Sequence, residues 1–547
     1  MKDSCVKPIG LAASSLVLFL CLGVLSYAPR PAKGRSQSAE HASVPIETAQ
    51  VPSWSRGDMD FFLHGSMSTE MVPETVLRAF IRAWPDLFPT YDLSHLGLIP
   101  DPAFGWPVGF SRSPVPHLGG LPAVGLNCAA CHVREISSMS GGPRVRVLGV
   151  TSHFDAEAFF GAVILATFRT AAPTNMQRFL AAYLVVNDPA SGQQGQQLFQ
   201  TEWQRQEQAI TAAIAAEPSG SKDLPPGALH SIAGADLRLD RQLLAGGADL
   251  AAISHNFLRL FHNVRASLHV PDQPPNQAPP ASGPGRNDAF GLLSAVLFGA
   301  PQPYFPVKYG LVWNLDQRRW VHWDGNTQSP LGRNLLASLG LGAPLLGKHA
   351  QLDLALVQRQ TALSQGIRSP RYPFAIDLAA SQLGAAHYQT LCASCHDGPE
   401  GNQRLHSPAE SGTDPHRAEL FTQLQAERFD TFLATLETPG YQPSKEPGIR
   451  STQKYWAASM SGVWARSPYL HNGLVRTMQQ LLAPPPDRAK SFRRGSRSYD
   501  PDQMGYSDDG GYVLDTTAAG NSNAGHDYGT GLLDAQKREL IEYLKTR

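Results

Sequence analysis

The chain has 547 residues, 42% hydrophobic and 17% charged, so it can bury two or three cores and is too apolar for wholesale disorder. Lys+Arg and Asp+Glu are both 46, giving a formal net charge of +0; with no positive excess to hold a polyanion, no nucleic acid is expected as a partner. Gly 49 and Pro 44 exceed their usual share and favour helices joined by long irregular connections, a mainly α fold.

Lys2 and Lys7 precede an apolar stretch from Ile9 to Ala28 that ends in the small residues Ser26 and Ala28. This is the pattern of an export signal, residues 1–28, cleaved after Ala28, and it predicts a periplasmic or secreted protein. An uncleaved anchor is the alternative, because about 20 apolar residues just span a bilayer. Residues 29–55 are polar and predict a flexible leader. A first domain is expected over 56–370, where a segment rich in Pro and Gly from Phe104 to Leu126 delivers the chain to Cys128. Residues 133–285 read as a long, mainly helical insertion: Asp155 caps a helix through Phe168, and Ile253, Phe257, Leu260 and Phe261 recur at helical spacing. Ala156 to Phe168 is strongly apolar but too short to span a membrane. The prolines between Pro271 and Gly285 predict an exposed linker. A second domain is expected over 371–547. Its last helix is capped by Asp534 and presents Leu533, Leu540, Ile541 and Leu544 as one apolar stripe.

Six cysteines are present, with Cys5 and Cys21 inside the signal. The other four form two identical patterns, Cys128-Ala129-Ala130-Cys131-His132 and Cys392-Ala393-Ser394-Cys395-His396. Two thiols three positions apart reach the vinyl groups on one edge of a haem and form thioethers, and the following His lies under the iron as proximal ligand. Two covalently bound c-type haems are therefore expected, with iron on His132 and His396. A zinc on four thiolates would leave both histidines unexplained, and a redox Cys-x-x-Cys pair would not explain the duplication.

The order of the motifs resembles the bacterial di-haem cytochrome c peroxidase superfamily, and within it most closely the rubber oxygenases, secreted di-haem proteins that cleave polyisoprene with dioxygen. The resemblance rests on Gly125-Leu126-Asn127, on Trp323-Asp324-Gly325-Asn326, on Ser467-Pro468-Tyr469-Leu470-His471-Asn472-Gly473 and on Gly520-Asn521-Ser522-Asn523-Ala524-Gly525-His526. It implies two cytochrome c-like haem domains. It also implies that Trp323 stands between the haems, with Trp320 as competitor, and that His526 is the second axial ligand of the haem on His396, with Met504 and His471 as rivals. Where the peroxidases carry a catalytic Glu shortly after the Trp motif, this chain reads Gly342-Ala343-Pro344-Leu345-Leu346. An apolar distal wall with Leu346 in it is expected to disfavour peroxide heterolysis, which needs a moved proton, and to suit dioxygen beside an alkene. Arg333 to Leu341 lacks the phenylalanine that the resemblance leads one to expect; Leu339 or Leu336 takes its place.

The function that follows is an exported oxidoreductase whose haem on His132 binds dioxygen and acts on an apolar olefin such as polyisoprene, the other haem being six-coordinate. Peroxide reduction with electrons from a small redox protein, and pure electron transfer, are the alternatives.

Overall fold

The computed structural model describes residues 48–115, 121–139, 144–171, 173–187, 282–298, 305–346, 348–397, 404–445, 448–518 and 520–547. Among these, helices alternate with short strands, so the mainly α expectation gives way to a mixed architecture. The helices used below are α1 (Arg56–His64), α2 (Glu74–Ala83), α3 (Cys128–His132), α4 (Ala156–Ala171), α5 (Pro173–Asn187), α6 (Ala289–Phe298), α7 (Pro330–Gly340), α8 (Leu378–Leu391), α9 (Ala393–His396) and α10 (Asp534–Lys545).

Around α1 and α2 a three-stranded antiparallel sheet places Leu121–Leu126 between Val72–Pro73 and Phe110–Val115. A four-stranded sheet runs in the order Gly505–Tyr506, Ser498–Asp500, Val133–Ser138, Val145–Leu148. Its inner pair is parallel, Tyr499 opposite Ser138, and joins chain positions from opposite ends of the molecule. The segments 56–370 and 371–547 are therefore stitched together rather than separate. The expected helical insertion opens as a β-hairpin, Val133↔Leu148 to Ile136↔Val145, because valine and isoleucine recurring along both runs suit a pleated, half-buried surface better than a helix.

Asp155 does cap α4: its Oδ1 accepts from the Ala158 N–H at 2.9 Å, and the helix runs on to Ala171. Apolar on most sides, α4 buries Phe159, Phe160, Ala162 and Val163 against Phe80 and Trp84 of the α2 region. A second core gathers Phe62, Ile136, Trp313, Trp464 and Tyr499 with Leu540, Ile541 and Leu544 of α10.

Three expectations are corrected in detail. Thr48 to Trp54 belong to the fold rather than to a flexible leader: Gln50 is buried, bonding through its side chain to both N–H and C=O of Leu148 and to Arg368 O. Asp534 is the first residue of α10, not its cap; the Leu533 N–H is instead met by Gln536 Oε1 at 3.0 Å. Leu533 is 71% exposed and leaves the buried stripe. The signal at 1–28, the residues Ile253 to Phe261 and the linker from Pro271 to residue 281 lie outside the described residues. No helix among the described residues is long and apolar enough to cross a membrane.

Candidate functional site

The first Cys-x-x-Cys-His sequence forms the single turn α3, aimed by Asn127. The Asn127 Oδ1 accepts from Ala129 N–H at 2.9 Å, its Nδ2 donates to Gly65 O at 2.9 Å, and its own N–H donates to Gly109 O at 2.8 Å. Gly125 lets the incoming strand lie against Thr69, where a Cβ would come within 2.4 Å of main-chain carbon. Cys128, Cys131 and His132 line a cavity of about 240 Å³, hereafter cavity 1. Cys392, at the end of α8, and Cys395 and His396 of α9 line a second of about 230 Å³, cavity 2. The four thiols are free and divided between the two cavities, so they cannot share one zinc. Burial pushes Cys131 up to about 12 and Cys128 and Cys392 up to about 11, unlike the thiolate of a reactive pair.

In cavity 2, His396 Nδ1 donates to Ala458 O at 2.8 Å, which leaves Nε2 with its lone pair. The His526 ring faces it with centroids 6.3 Å apart. Two metal–imidazole bonds of about 2 Å, with about 1.1 Å from each nitrogen to its ring centre, call for roughly 6.2 Å, so the pair fits one metal ion between the imidazoles. His526 adopts φ 55, and its loop is pinned by Arg488, whose guanidinium donates to the carbonyls of Asn523, Gly525 and His526. Burial, with His396 and Arg488 adding to it, pushes His526 down to about 4, so the ring is neutral. Of the rivals, Met504 is fully buried away from the cavity lining, and His471 lines the cavity but stacks on Tyr455 at 4.1 Å. Met460 and Met478 also line it, which the sequence did not single out.

Trp323 and Lys308 line both cavities. The indole N–H donates to Lys308 O at 2.9 Å, and the Lys308 ammonium lies 5.2 Å from the Trp323 ring centre. That ammonium donates to Arg466 O and Pro468 O, both at 2.7 Å, while Arg134 donates to Ser467 O and Arg494 to Gly473 O. The carbonyls of the Ser467–Gly473 motif are thus held by buried cations. Trp320 is absent from both linings and is covered by the Arg450 guanidinium at 3.7 Å.

The wall of cavity 1 departs from expectation. Pro344 and Leu345 stand outside the lining: Leu345–Leu346 pairs with His349–Ala350 as a two-residue hairpin, and the side chain of Leu346 lies outside the described residues. Leu339 is buried in the core with Leu335 and Phe429, on the side of α7 away from the cavity, while Leu336 lines it. A helix presents every third or fourth residue to one face, and α7 gives that face to Arg333, Leu336, Ala337 and Gly340. Phe290 and Leu293 of α6 complete the apolar part. Among the described residues no carboxylate is in the lining, but the wall is not wholly apolar, because His322 and Arg333 are part of it. The ring that meets His132 is Tyr309, at 6.4 Å, rather than a second imidazole. Burial, with Arg333 adding to it, pushes His132 down to about 3. His322 could have been found in the sequence as the polar neighbour of Trp323; Arg333 and Lys308 carry no such signal.

Residues 454–493, which supply Tyr455, Met460, Leu470, His471 and Met478 to cavity 2, match the family described as RoxA-like, cytochrome c-like. A cytochrome c-like domain implies a c-type haem with iron. The chain is 26% identical over 608 residues to the uncharacterized protein y4iJ of Sinorhizobium fredii (strain NBRC 101917 / NGR234), an alignment that covers 90% of this chain and 92% of that one. It is 30% identical over 322 residues to the uncharacterized protein y4iM of the same organism, over 50% of this chain and 73% of the relative. On that shared identity the chain belongs to one family with y4iM, and within it residues 454–493 form part of a RoxA-like, cytochrome c-like domain.

Proposed function

We propose that the protein is an exported oxidoreductase with two covalently bound c-type haems, one held by Cys128, Cys131 and His132 and the other by Cys392, Cys395, His396 and His526. The observation that carries this reading is the asymmetry of two cavities of nearly equal size: cavity 2 has opposed imidazoles 6.3 Å apart, whereas in cavity 1 the ring in contact with His132 is Tyr309 and the His322 imidazole lines the cavity without a ring contact to His132. Cavity 2 is then closed to exogenous ligands and serves electron transfer, and cavity 1 is the reaction site. Bound haem supplies one-electron redox chemistry and a place for a small oxygen ligand.

The chain's own residues do the rest. Asn127 aims the His132 turn, Arg488 clamps the His526 loop, and Trp323 stands between the two sites with its indole fixed by Lys308 O. Met67, Phe290, Leu293, Leu336 and Leu341 offer a dry surface for an apolar olefin, so the reaction proposed is dioxygen-dependent cleavage of an olefin such as polyisoprene. The RoxA-like segment and the lack of a carboxylate among the described residues of the cavity 1 lining support it. A second reading, reduction of hydrogen peroxide with a small redox protein as donor, is favoured by the presence of His322 and Arg333 in the same lining. Oxygen uptake on polyisoprene latex, measured beside peroxide turnover with a reduced cytochrome, decides between them: rapid peroxide turnover with no uptake on any olefin overturns the oxygenase.

A further inference from the structure

Four buried residues set the protonation of one imidazole in cavity 1. Arg417 Nη1 lies 3.2 Å from Asp324 Oδ2, the same oxygen accepts from Asn326 Nδ2 at 3.1 Å, and Asn326 Oδ1 accepts from Thr327 Oγ1 at 2.9 Å. The Asn326 amide is thereby fixed with its oxygen toward His322, whose Nδ1 is 2.8 Å away. An amide oxygen only accepts, so Nδ1 carries the hydrogen and Nε2 keeps a bare lone pair. Nε2 makes no hydrogen bond to the described residues, and the His322 ring lines cavity 1 with Phe290 against its edge. Arg333 lines the same cavity, tied through Nε to Asn334 Oδ1 at 3.1 Å, and among the described residues no carboxylate pairs with it. The other guanidinium in the lining, Arg417, is already neutralised by Asp324.

A base beside an uncompensated cation is the arrangement that splits a weak acid: the proton goes to one and the anion to the other. We propose that cavity 1 takes weakly acidic small ligands, hydrogen peroxide above all, with His322 as the proton acceptor and Arg333 as the counter-charge. The step balances without electron transfer. Hydrogen peroxide gives one proton to Nε2, the bonding pair stays on oxygen, imidazole becomes imidazolium, and the hydroperoxide anion lies beside the guanidinium. Burial and the charges of Arg333 and Arg417, opposed by the bond to Asn326, push His322 down to about 3, so the resting ring is neutral and its Nε2 lone pair is free; the proton it takes is held only while the anion stays beside the guanidinium. This inference rests on the proposed placement of the open iron in cavity 1.

The test uses the ferric holoprotein and two probes. Hydrogen cyanide must lose its proton to bind iron as the anion, whereas imidazole arrives with its lone pair free. Haem content is measured first: fewer than two haems per chain in the unaltered protein overturns the proposed function itself and not the role of His322. With two haems present, His322→Gln and His322→Leu are expected to slow cyanide association by about 10²-fold, the low end of a proton-transfer contribution, and to leave imidazole association within about twofold. Arg333→Leu is expected to weaken cyanide binding chiefly through faster dissociation. Unchanged cyanide association in both His322 variants, or an equal loss for cyanide and imidazole, overturns the proposal, the second because it reports access rather than proton transfer.

Discussion

His526 holds its place through a left-handed backbone and three carbonyl contacts to Arg488, so its side chain can be removed without collapse of the loop. His526→Ala is expected to turn one low-spin iron high-spin and to leave the other unchanged in the electronic and electron paramagnetic resonance spectra; an unaltered spectrum removes His526 from the site. Trp323→Phe keeps bulk and burial but loses the indole N–H bond to Lys308 O, worth about 1 kcal/mol, and gives up the more oxidisable ring. Haem content should survive while electron transfer between the two sites slows, as followed by flash photolysis; an unchanged rate would make Trp323 a packing residue. At this scale the sequence was most informative where chemistry dictates spacing. Both Cys-x-x-Cys-His turns, Trp323 and His526 could be singled out because motifs fix their order along the chain, and the structure places each of them at a cavity. Leu339 was misplaced because which face a helix gives to a cavity depends on its tertiary seat, here the packing of Leu335 and Leu339 on Phe429.

Among the elements, α8 and α10 make the tightest approach. A Cβ at Gly384 would stand 2.0 Å from Glu539 O, with main-chain atoms that cannot rotate away. Gly384→Ala is expected to cost about 1–3 kcal/mol or more, read as a lower urea midpoint, and to broaden the spectrum of the haem proposed for neighbouring α9. A neutral effect would mean that the two helices separate freely. The cap of α4 gives a pH signature. Burial, with Glu157 adding to it, pushes Asp155 up to about 7, against its bond from Ala158 N–H and the charge of Arg494. The unfolded carboxyl ionises near 3.8, so between about pH 4 and 7 the unfolded state loses the proton first, and stability falls as pH rises through that window, then levels. Asp155→Asn keeps an acceptor for the cap and should flatten this slope in thermal midpoints measured from pH 4 to 8. The cap itself was legible, since a carboxylate before an apolar run has one local use. The hairpin Val133–Leu148 was not, because its pairing with Ser498–Asp500 depends on residues more than three hundred positions away.

For the whole molecule, the parallel pairing of Ser498–Asp500 with Val133–Ser138 and the bond from Arg134 to Ser467 O mean that neither half is closed without the other. Replacing Cys128 and Cys131 by Ala is expected to leave one covalent haem per chain, counted after denaturing electrophoresis; two remaining haems would overturn the attachment site. Domain boundaries were the least legible feature of the sequence, because composition shifts report where a chain turns polar and not which strands it will later share. Gln50 shows this: it sits in a polar leader by composition, yet its amide satisfies both main-chain groups of Leu148.

Lys308 and Trp323 are a party wall, and a party wall obeys reciprocity. The ammonium is tied to the carbonyls of Arg466 and Pro468 and lies over the indole, and both side chains line both cavities. Whatever factor occupation of one pocket applies to the affinity of its neighbour, the neighbour must return in equal measure. A substitution at either residue is therefore expected to disturb both pockets at once, where a change at any other lining side chain named above would touch one.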